Sequence, residues 1–113
     1  MNMKSKLRIA FNEEMSLSKE MYKKGDYSKS FYHLERAHIL GQSYIIPHTQ
    51  SHWWMLKLGF KRHDFKEIVG QITRILASTI FSRIWVPLGN TGGANVSPLK
   101  PMTIPNDLRK YLD

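Results

Sequence analysis

Residues 22–42 read Y-K-K-G-D-Y-S-K-S-F-Y-H-L-E-R-A-H-I-L-G-Q, and this stretch decides the fold. Gly25 is the residue type that ends a helix in the left-handed conformation, and Asp26 is a type that caps the start of the next helix. After the turn, Tyr27, Phe31 and Leu34 recur at the spacing of one helix face. The stretch therefore predicts two helices joined by a tight turn, at the centre of an all-α domain.

Apolar periodicity and capping residues predict further helices on either side of this hairpin. Pro47 suits the first turn of a helix, and Asp64 is a second candidate N-cap. Gly70 lies inside the last long helix, where we expect it to permit a close helix crossing. The predicted helices span residues 4–24, 27–41, 48–61 and 65–84, and they form two helical hairpins over residues 1–84.

Residues 85–113 have a different composition, with four prolines and three glycines within residues 85–108. That density excludes a long helix or a central strand. The segment is also too rich in apolar side chains for a disordered tail. We therefore expect an irregular C-terminal strap that packs on the helices and ends in a short helical turn over residues 105–112. The 113 residues then form a single domain, residues 1–113.

The chain is strongly basic, with 17 Lys and Arg against 9 Asp and Glu and a formal net charge of +8. Such an excess attracts anions in general. The basic residues are spread along the chain and nucleic-acid-binding motifs are not evident, which disfavours nucleic acid as a partner. The lack of cysteine excludes disulfides and thiolate metal sites. Since no membrane span or leader pattern is evident, we expect a cytoplasmic protein.

The helical region contains two similar units offset by 38 residues, because Y-K-K-G-D-Y at 22–27 aligns with F-K-R-H-D-F at 60–65. The first unit resembles a tetratricopeptide repeat, and the matching residues are Gly25, Tyr27, Leu34 and Ala37. The first unit departs from that pattern at Ser30 and Gln42, and the second unit has His63 in place of the turn glycine. The resemblance implies tetratricopeptide-like hairpins and a role in binding proteins or peptides.

A second resemblance covers residues 25–108. It rests on H-L-E-R-A-H-I-L-G-Q at 33–42, H-x3-H-W at 48–53, D-F-K-E-I-V-G-Q-I-T-R at 64–74 and P-L-G-N-T-G-G-A-N-V-S at 87–97. These segments are similar to a small bacterial family known as domain of unknown function 3703. The glycine- and asparagine-rich segment is the most specific of them. This resemblance implies no activity that can be transferred to particular residues.

Histidines provide the main candidate for a chemical site. His48 and His52 are spaced i, i+4 and share one helix face, and two imidazoles so placed can bind one metal ion. The neighbouring helix offers His33 or Glu35 as a further ligand, whereas His38 falls on the apolar stripe and is expected to face the core. Nitrogen ligands without thiolate favour Zn, Ni or Cu. The alternative is a set of buried neutral rings that are part of the core.

A loop and two tryptophans provide the other candidate sites. The backbone N–H groups of G-N-T-G-G could cradle an anion, or this loop could form tight turns in which asparagine bonds to local backbone. The loop residues are Gly89, Asn90, Thr91, Gly92 and Gly93. Adjacent tryptophans point about 100° apart on a helix, so only one can face the core. We expect an interaction groove between the hairpins, lined by Met15, Tyr22, Trp53 and Trp54.

The sequence favours a binding protein over an enzyme and leaves three functions open. The first is protein or peptide binding in the groove, with self-association as one form of it. The second is transition-metal binding, with Zn, Ni or Cu held by the histidines. The third and weakest is binding of an anion or nucleic acid. A metal-bound water with Glu35 as base would give hydrolysis, but the H-E-x-x-H motif is lacking.

Overall fold

Five helices and no strand form the regular structure of the residues that the structure describes. A computed structural model of the chain describes residues 3–80, 89–97 and 100–112, without the side chains of residues 78–80. The helices are α1 (Ser5–Lys24), α2 (Tyr27–Gly41), α3 (Ile45–Lys61), α4 (Phe65–Ile80) and α5 (Asn106–Leu112). The predicted all-α class is therefore confirmed for this part of the chain.

The helix ends follow from the capping residues in the sequence. Gly25 ends α1 with a φ of 79°, in the left-handed region. The Asp26 side chain accepts a hydrogen bond from the backbone N–H of Lys29 at 3.2 Å, and Asp64 caps α4 in the same way. Helix α3 begins at Ile45, earlier than predicted. The predicted end of the fourth helix, at residue 84, lies outside the described residues.

Neighbouring helices pack in chain order, α1 on α2, α2 on α3 and α3 on α4, while α5 contacts α1 and α2. Small side chains allow the first of these crossings, since Ser18 and Ser30 each donate a hydroxyl hydrogen bond to the other's carbonyl at 2.8 Å. The apolar core lies between these helices, and its largest members are Leu7, Phe11, Met15, Phe31, Leu34, Ile39, Leu40, Met55, Leu58 and Leu108.

The part of the chain that packs against α4 at Gly70 differs from the prediction. A Cβ at Gly70 would lie 2.6 Å from the Cβ of Ala94, so this glycine admits an irregular segment and not a crossing helix. The opposite side of α4 leaves four large apolar side chains exposed: Phe65, Val69, Ile72 and Leu76. Within the part of the chain that the structure describes, no helix combines the length and apolar content needed to cross a bilayer.

Candidate metal centre

Three histidines from α2 and α3 meet in the interior of the molecule. His38 lies near the end of α2, and His48 and His52 lie one turn apart near the start of α3. Their ring centroids are 4.8 Å (38 to 48), 4.7 Å (38 to 52) and 4.6 Å (48 to 52) apart, nearly an equilateral triangle. We call this group the histidine cluster. His38 and His52 are each only 2% exposed, and His48 is half-buried.

A short, close connection between α2 and α3 creates this arrangement. Helix α2 ends at Gly41 and α3 begins at Ile45. A Cβ on Gly41 would lie 2.8 Å from the Cβ of Pro47, so only glycine lets the first turn of α3 approach the end of α2 this closely. As a result, the last turns of α2 face the first turns of α3, and His38 reaches the pair on α3.

The ring nitrogens are close to the spacing that one metal ion requires. One ligand nitrogen from each ring lies within 4.8 Å of the others, and the Nε2 atoms of His48 and His52 are 3.0 Å apart. In a tetrahedral zinc site with bonds of about 2.0–2.1 Å, ligand nitrogens are about 3.4 Å apart. Small side-chain rotations that part the nitrogens of His48 and His52 and bring that of His38 closer would therefore complete the geometry.

The outer nitrogens of two rings are held by uncharged partners. His38 Nδ1 donates to the carbonyl oxygen of Asn90 at 2.8 Å. His52 Nδ1 lies against Gln71 Oε1, whose amide orientation is fixed because Nε2 of the same side chain donates to the carbonyl of Gly92 and to the Glu67 carboxylate. Both rings therefore carry their proton on Nδ1, which leaves the lone pair of Nε2 free inside the cluster.

The third ring has the opposite tautomer in the absence of metal. Because His52 Nε2 carries a lone pair, the short contact between the two Nε2 atoms requires His48 Nε2–H to donate. For all three Nε2 atoms to bind one ion, the His48 proton must move to Nδ1 or leave the ring. Metal binding would thus change the protonation pattern at His48 and not at the other two rings.

Burial keeps the cluster uncharged at neutral pH. Desolvation lowers the pKa of His48 to about 4. Desolvation, with a smaller contribution from His48, lowers the pKa of His52 to about 3. For His38, desolvation first and the two neighbouring histidines second lower the pKa well below its usual value. Neutral imidazole is the charge state that binds metal, so all three rings have the required charge near pH 7, and only His48 has to change tautomer.

The segment of residues 89–97 covers the cluster. Gly92, with a φ of 85°, lies against the ring of His38, and a Cβ there would be 2.5 Å from His38 Cδ2. Arg74 donates to the Gly92 carbonyl at 3.0 Å and to that of Val96 at 3.1 Å. The N–H of Ala94 donates to the Glu67 carboxylate. The segment that lies over the rings is therefore fixed to α4.

The structure places the predicted metal ligands in two different regions. It brings His48 and His52 together, but His33 points away and its Nδ1 lies 2.9 Å from Glu14. Glu35 is outside the group of converging ligand atoms found in the described residues. Its pKa is raised, mainly by burial and next by Glu67. The third ring is His38, which the sequence assigned to the core.

The predicted anion loop uses its groups within the chain. Asn90 Oδ1 accepts from the N–H of Gly92 at 2.9 Å, and its Nδ2 donates to the carbonyls of Ser97 and Lys100. Both loop glycines with positive φ, Gly89 and Gly92, lie at these turns. This pattern matches the alternative interpretation, in which asparagine bonds to local backbone.

The predicted groove residues lie together around α1 and α3. Met15 belongs to the core and also borders a groove between these helices, together with Trp53 and Trp54. Trp54 is half-buried and Trp53 is 51% exposed. Tyr22 packs edge-on against Trp54, with ring centroids 5.4 Å apart.

Comparison with known proteins identifies the family. The model of a family described as "Protein of unknown function (DUF3703)" matches residues 5–112, which is nearly the whole chain. The chain therefore belongs to this family, and the resemblance of its sequence to domain of unknown function 3703 is confirmed. Searches of curated proteins and of solved structures gave no match.

Proposed function

We propose that this member of the DUF3703 family binds one transition-metal ion through His38, His48 and His52. The observation that carries the proposal is the convergence of three neutral imidazoles, whose ligand nitrogens lie within 4.8 Å of one another. A core has no need for three polar rings at one point, because each buried nitrogen requires a partner. A metal ion would satisfy the three inner nitrogens at once.

The ligand set selects the class of metal. Three imidazoles suit Zn²⁺, Ni²⁺ and Cu²⁺, whereas Mg²⁺ and Ca²⁺ require oxygen ligands. The chain has no cysteine that could supply a thiolate. Three protein ligands leave a fourth position for water or a small anion in a tetrahedral site.

The residues behind the rings support binding. Asn90 and Gln71 fix the orientation of His38 and His52, which is the usual task of groups in contact with metal ligands. Glu67 lies behind Gln71 and provides a negative charge one residue away from the rings. Such a charge favours a cation in the cluster, and it acts through Gln71 without touching the imidazoles.

We propose binding and not catalysis, in a cytoplasmic protein. The sequence lacks the H-E-x-x-H motif, in which a glutamate beside the metal-binding histidines serves as the base. The predicted role in protein or peptide binding concerns a separate face of the molecule, between α1 and α3, and does not depend on the histidines.

Metal titration of protein made without a histidine tag tests the proposal. We expect one Zn²⁺, Ni²⁺ or Cu²⁺ ion per chain by elemental analysis and calorimetry. The variants His48→Gln and His52→Gln should weaken binding by more than about 100-fold, the upper end of what loss of a supporting group alone costs. His33→Gln and His63→Gln are the matched controls, since both histidines lie outside the cluster, and they should bind like wild type.

Nuclear magnetic resonance of the imidazole nitrogens separates a metal site from a hydrogen-bonded core. Without metal, His38 and His52 should be protonated at Nδ1 and His48 at Nε2. With Zn²⁺, the Nε2 signals of all three should shift together, and His48 should change tautomer. Absence of a bound ion, or equal binding by His52→Gln, would show that the rings are core residues only.

A further inference from the structure

A groove of about 590 Å³ runs between α1 and α3 on a face separate from the histidine cluster. Its floor is apolar, and part of it belongs to the core. Its described lining residues are Asn12, Met15, Lys19, Ile45, Ile46, Thr49, Gln50, Trp53, Trp54 and Ile75. The groove therefore combines the first turns of α3 with the middle of α1.

The groove exposes more apolar surface than isolated surface residues do. Ile45, Ile46 and Trp53 are 47%, 70% and 51% exposed, and they lie between the start and the middle of α3. Adjacent exposed apolar side chains of this size indicate an interaction site, whereas scattered ones do not. Trp in particular is enriched where proteins bind each other.

A second hollow of about 480 Å³ lies next to this groove. Tyr22 borders this hollow and packs edge-on against Trp54. The other described residues around it are Lys57, Phe60, Lys61 and His63. The two hollows therefore adjoin where Tyr22 contacts Trp54, and we treat them as one surface.

The charges along this surface have one sign. Its ionised lining residues are Lys19, Lys57 and Lys61, and no carboxylate lines either hollow among the residues that the structure describes. The Lys19 and Lys57 ammonium groups lie 5.4 Å and 4.2 Å from the ring centre of Trp54, so they are held beside the apolar floor. The net charge of +8 on the chain adds to this positive potential.

We propose that this groove binds an acidic segment of a partner protein. A large apolar side chain of the partner would insert between Ile46 and Trp53. Aspartate or glutamate side chains beside it would meet Lys19 and Lys57, which supply orientation and a fast association rate. Because the groove has an apolar floor and a cationic rim, its partner must carry both apolar and acidic side chains.

Two other occupants fit the surface less well. A second copy of the chain would bring a net charge of +8 against another +8, and the same three lysines would face each other across a twofold axis. Single-stranded nucleic acid requires open aromatic faces for base stacking. Lys19 and Lys57 cover the ring of Trp54. The exposed aromatic side chains that remain, Trp53 and Phe60, are single residues in different hollows and do not form a row on which successive bases could stack.

Selection from a displayed library of random peptides of about twelve residues tests the proposal, because the library samples composition without assuming a sequence. Immobilised wild-type protein should enrich peptides that combine Asp or Glu with a large apolar residue. The strongest peptide is then synthesised with a fluorescent label, and its affinity is measured by anisotropy. We expect Ile46→Asp and Trp53→Ala to weaken it at least 10-fold, and Lys57→Gln and added salt to weaken it several-fold.

Matched controls separate the groove from the rest of the surface. Ile9→Asp and Val69→Asp place the same charge at apolar side chains that are 58% and 64% exposed elsewhere, and they should leave affinity unchanged. His48→Gln should also leave it unchanged, so that failure of the metal proposal and failure of this one are distinguishable. Circular dichroism checks that each variant retains its helices.

Several results would overturn the proposal. One is enrichment of peptides that lack acidic residues, and another is a selected peptide whose affinity Ile46→Asp does not change. A library that yields no peptide bound above the Ile46→Asp background would also overturn it. So would a groove-dependent dimer in sedimentation analysis, or a single-stranded oligonucleotide that competes with the selected peptide and binds more tightly.

Discussion

The two faces of α2 place histidines in opposite electrostatic surroundings. On the face toward α1, His33 and Arg36 both contact the carboxylate of Glu14, and Arg36 also reaches Asp107 on α5. On the face toward α3, His38 contacts a carbonyl oxygen and two other neutral rings. We call the first group the charged network, in contrast to the histidine cluster.

The difference shows how one helix separates two uses of a buried histidine. A buried charge is stable only when it is paired, and the charged network pairs every charged group that it brings together. A metal ligand must instead keep a lone pair, so its surroundings must favour the neutral form. In the histidine cluster the carboxylate of Glu67 is kept behind Gln71, where it contacts an amide and not a ring.

Acid should destabilise the protein through the histidine cluster, which is the largest effect that we predict. The folded-state pKa values of His48 and His52, about 4 and about 3, lie below the unfolded value. The unfolded chain therefore binds more protons, and stability falls as pH decreases from about 6.5 toward these values. Between pH 7 and 5, each histidine that stays neutral should cost about 2 kcal/mol of unfolding free energy.

Urea unfolding at several pH values measures this loss. His52→Gln should reduce the pH dependence over this range, whereas His33→Gln should retain most of it. Glu35 acts in the opposite sense, since its raised pKa favours the protonated form in the folded state, so its contribution grows as pH falls through that pKa. An unfolding free energy that is equal at pH 7 and 5 would contradict the neutral description of the cluster.

Removal of Glu14 should have the next largest effect, on the charged network. Glu14→Ala leaves His33 and Arg36 without their shared partner, and Arg36 retains only Asp107. Loss of one partner of a buried pair costs about 3 kcal/mol or more, because the other charge stays buried. Thermal or urea unfolding measures it. Glu20→Ala is the matched control, because the Glu20–Lys24 pair on α1 is exposed and should contribute less than about 1 kcal/mol.

How much the sequence could predict depends on how local each feature is. The turn at Gly25 and Asp26 and the cap at Asp64 act within a few residues, so the helices were predictable. The pairing of His48 and His52 was predictable for the same reason, because i, i+4 spacing fixes it. Glu35 and His33 were proposed as their partners because both are polar residues on the adjacent helix.

The third ring and its supports were not predictable from local patterns. His38 lies among the apolar residues of its helix, and only the close approach at Gly41 and Pro47 shows that it meets His48. Gln71 contacts the cluster from a helix distant in sequence, and Gly92 does so from an irregular segment. Gly92 offered one useful signal. A glycine-rich segment without a phosphate-loop ending indicates that its backbone lies close to another part of the chain.

Substitution of two glycines by alanine should have an intermediate effect on stability. It also tests whether residues 89–97 cover the histidine cluster. Gly25 and Gly92 both have positive φ, at 79° and 85°. A Cβ at Gly25 meets nothing within 4 Å, whereas one at Gly92 would overlap the ring of His38. Gly25→Ala should therefore cost about 1 kcal/mol from backbone strain, and Gly92→Ala about 2 kcal/mol or more. Only Gly92→Ala should also weaken metal binding, and equal costs for both variants would argue against the contact with His38.

The smallest effect should come from the exposed end of the charged network. The Asp107 side chain is 62% exposed where it meets Arg36, and this contact lowers the pKa of its carboxyl. A depressed carboxyl pKa contributes stability above the unfolded value and loses it as pH falls through the folded value. Solvent screens such a pair, so Asp107→Asn should cost less than about 1 kcal/mol at neutral pH, and the difference should vanish in high salt. Urea unfolding with and without salt measures it. A cost near that of Glu14→Ala would mean that α5 fixes Arg36 as strongly as α1 does. The charged network would then join α1, α2 and α5 with contacts of similar strength.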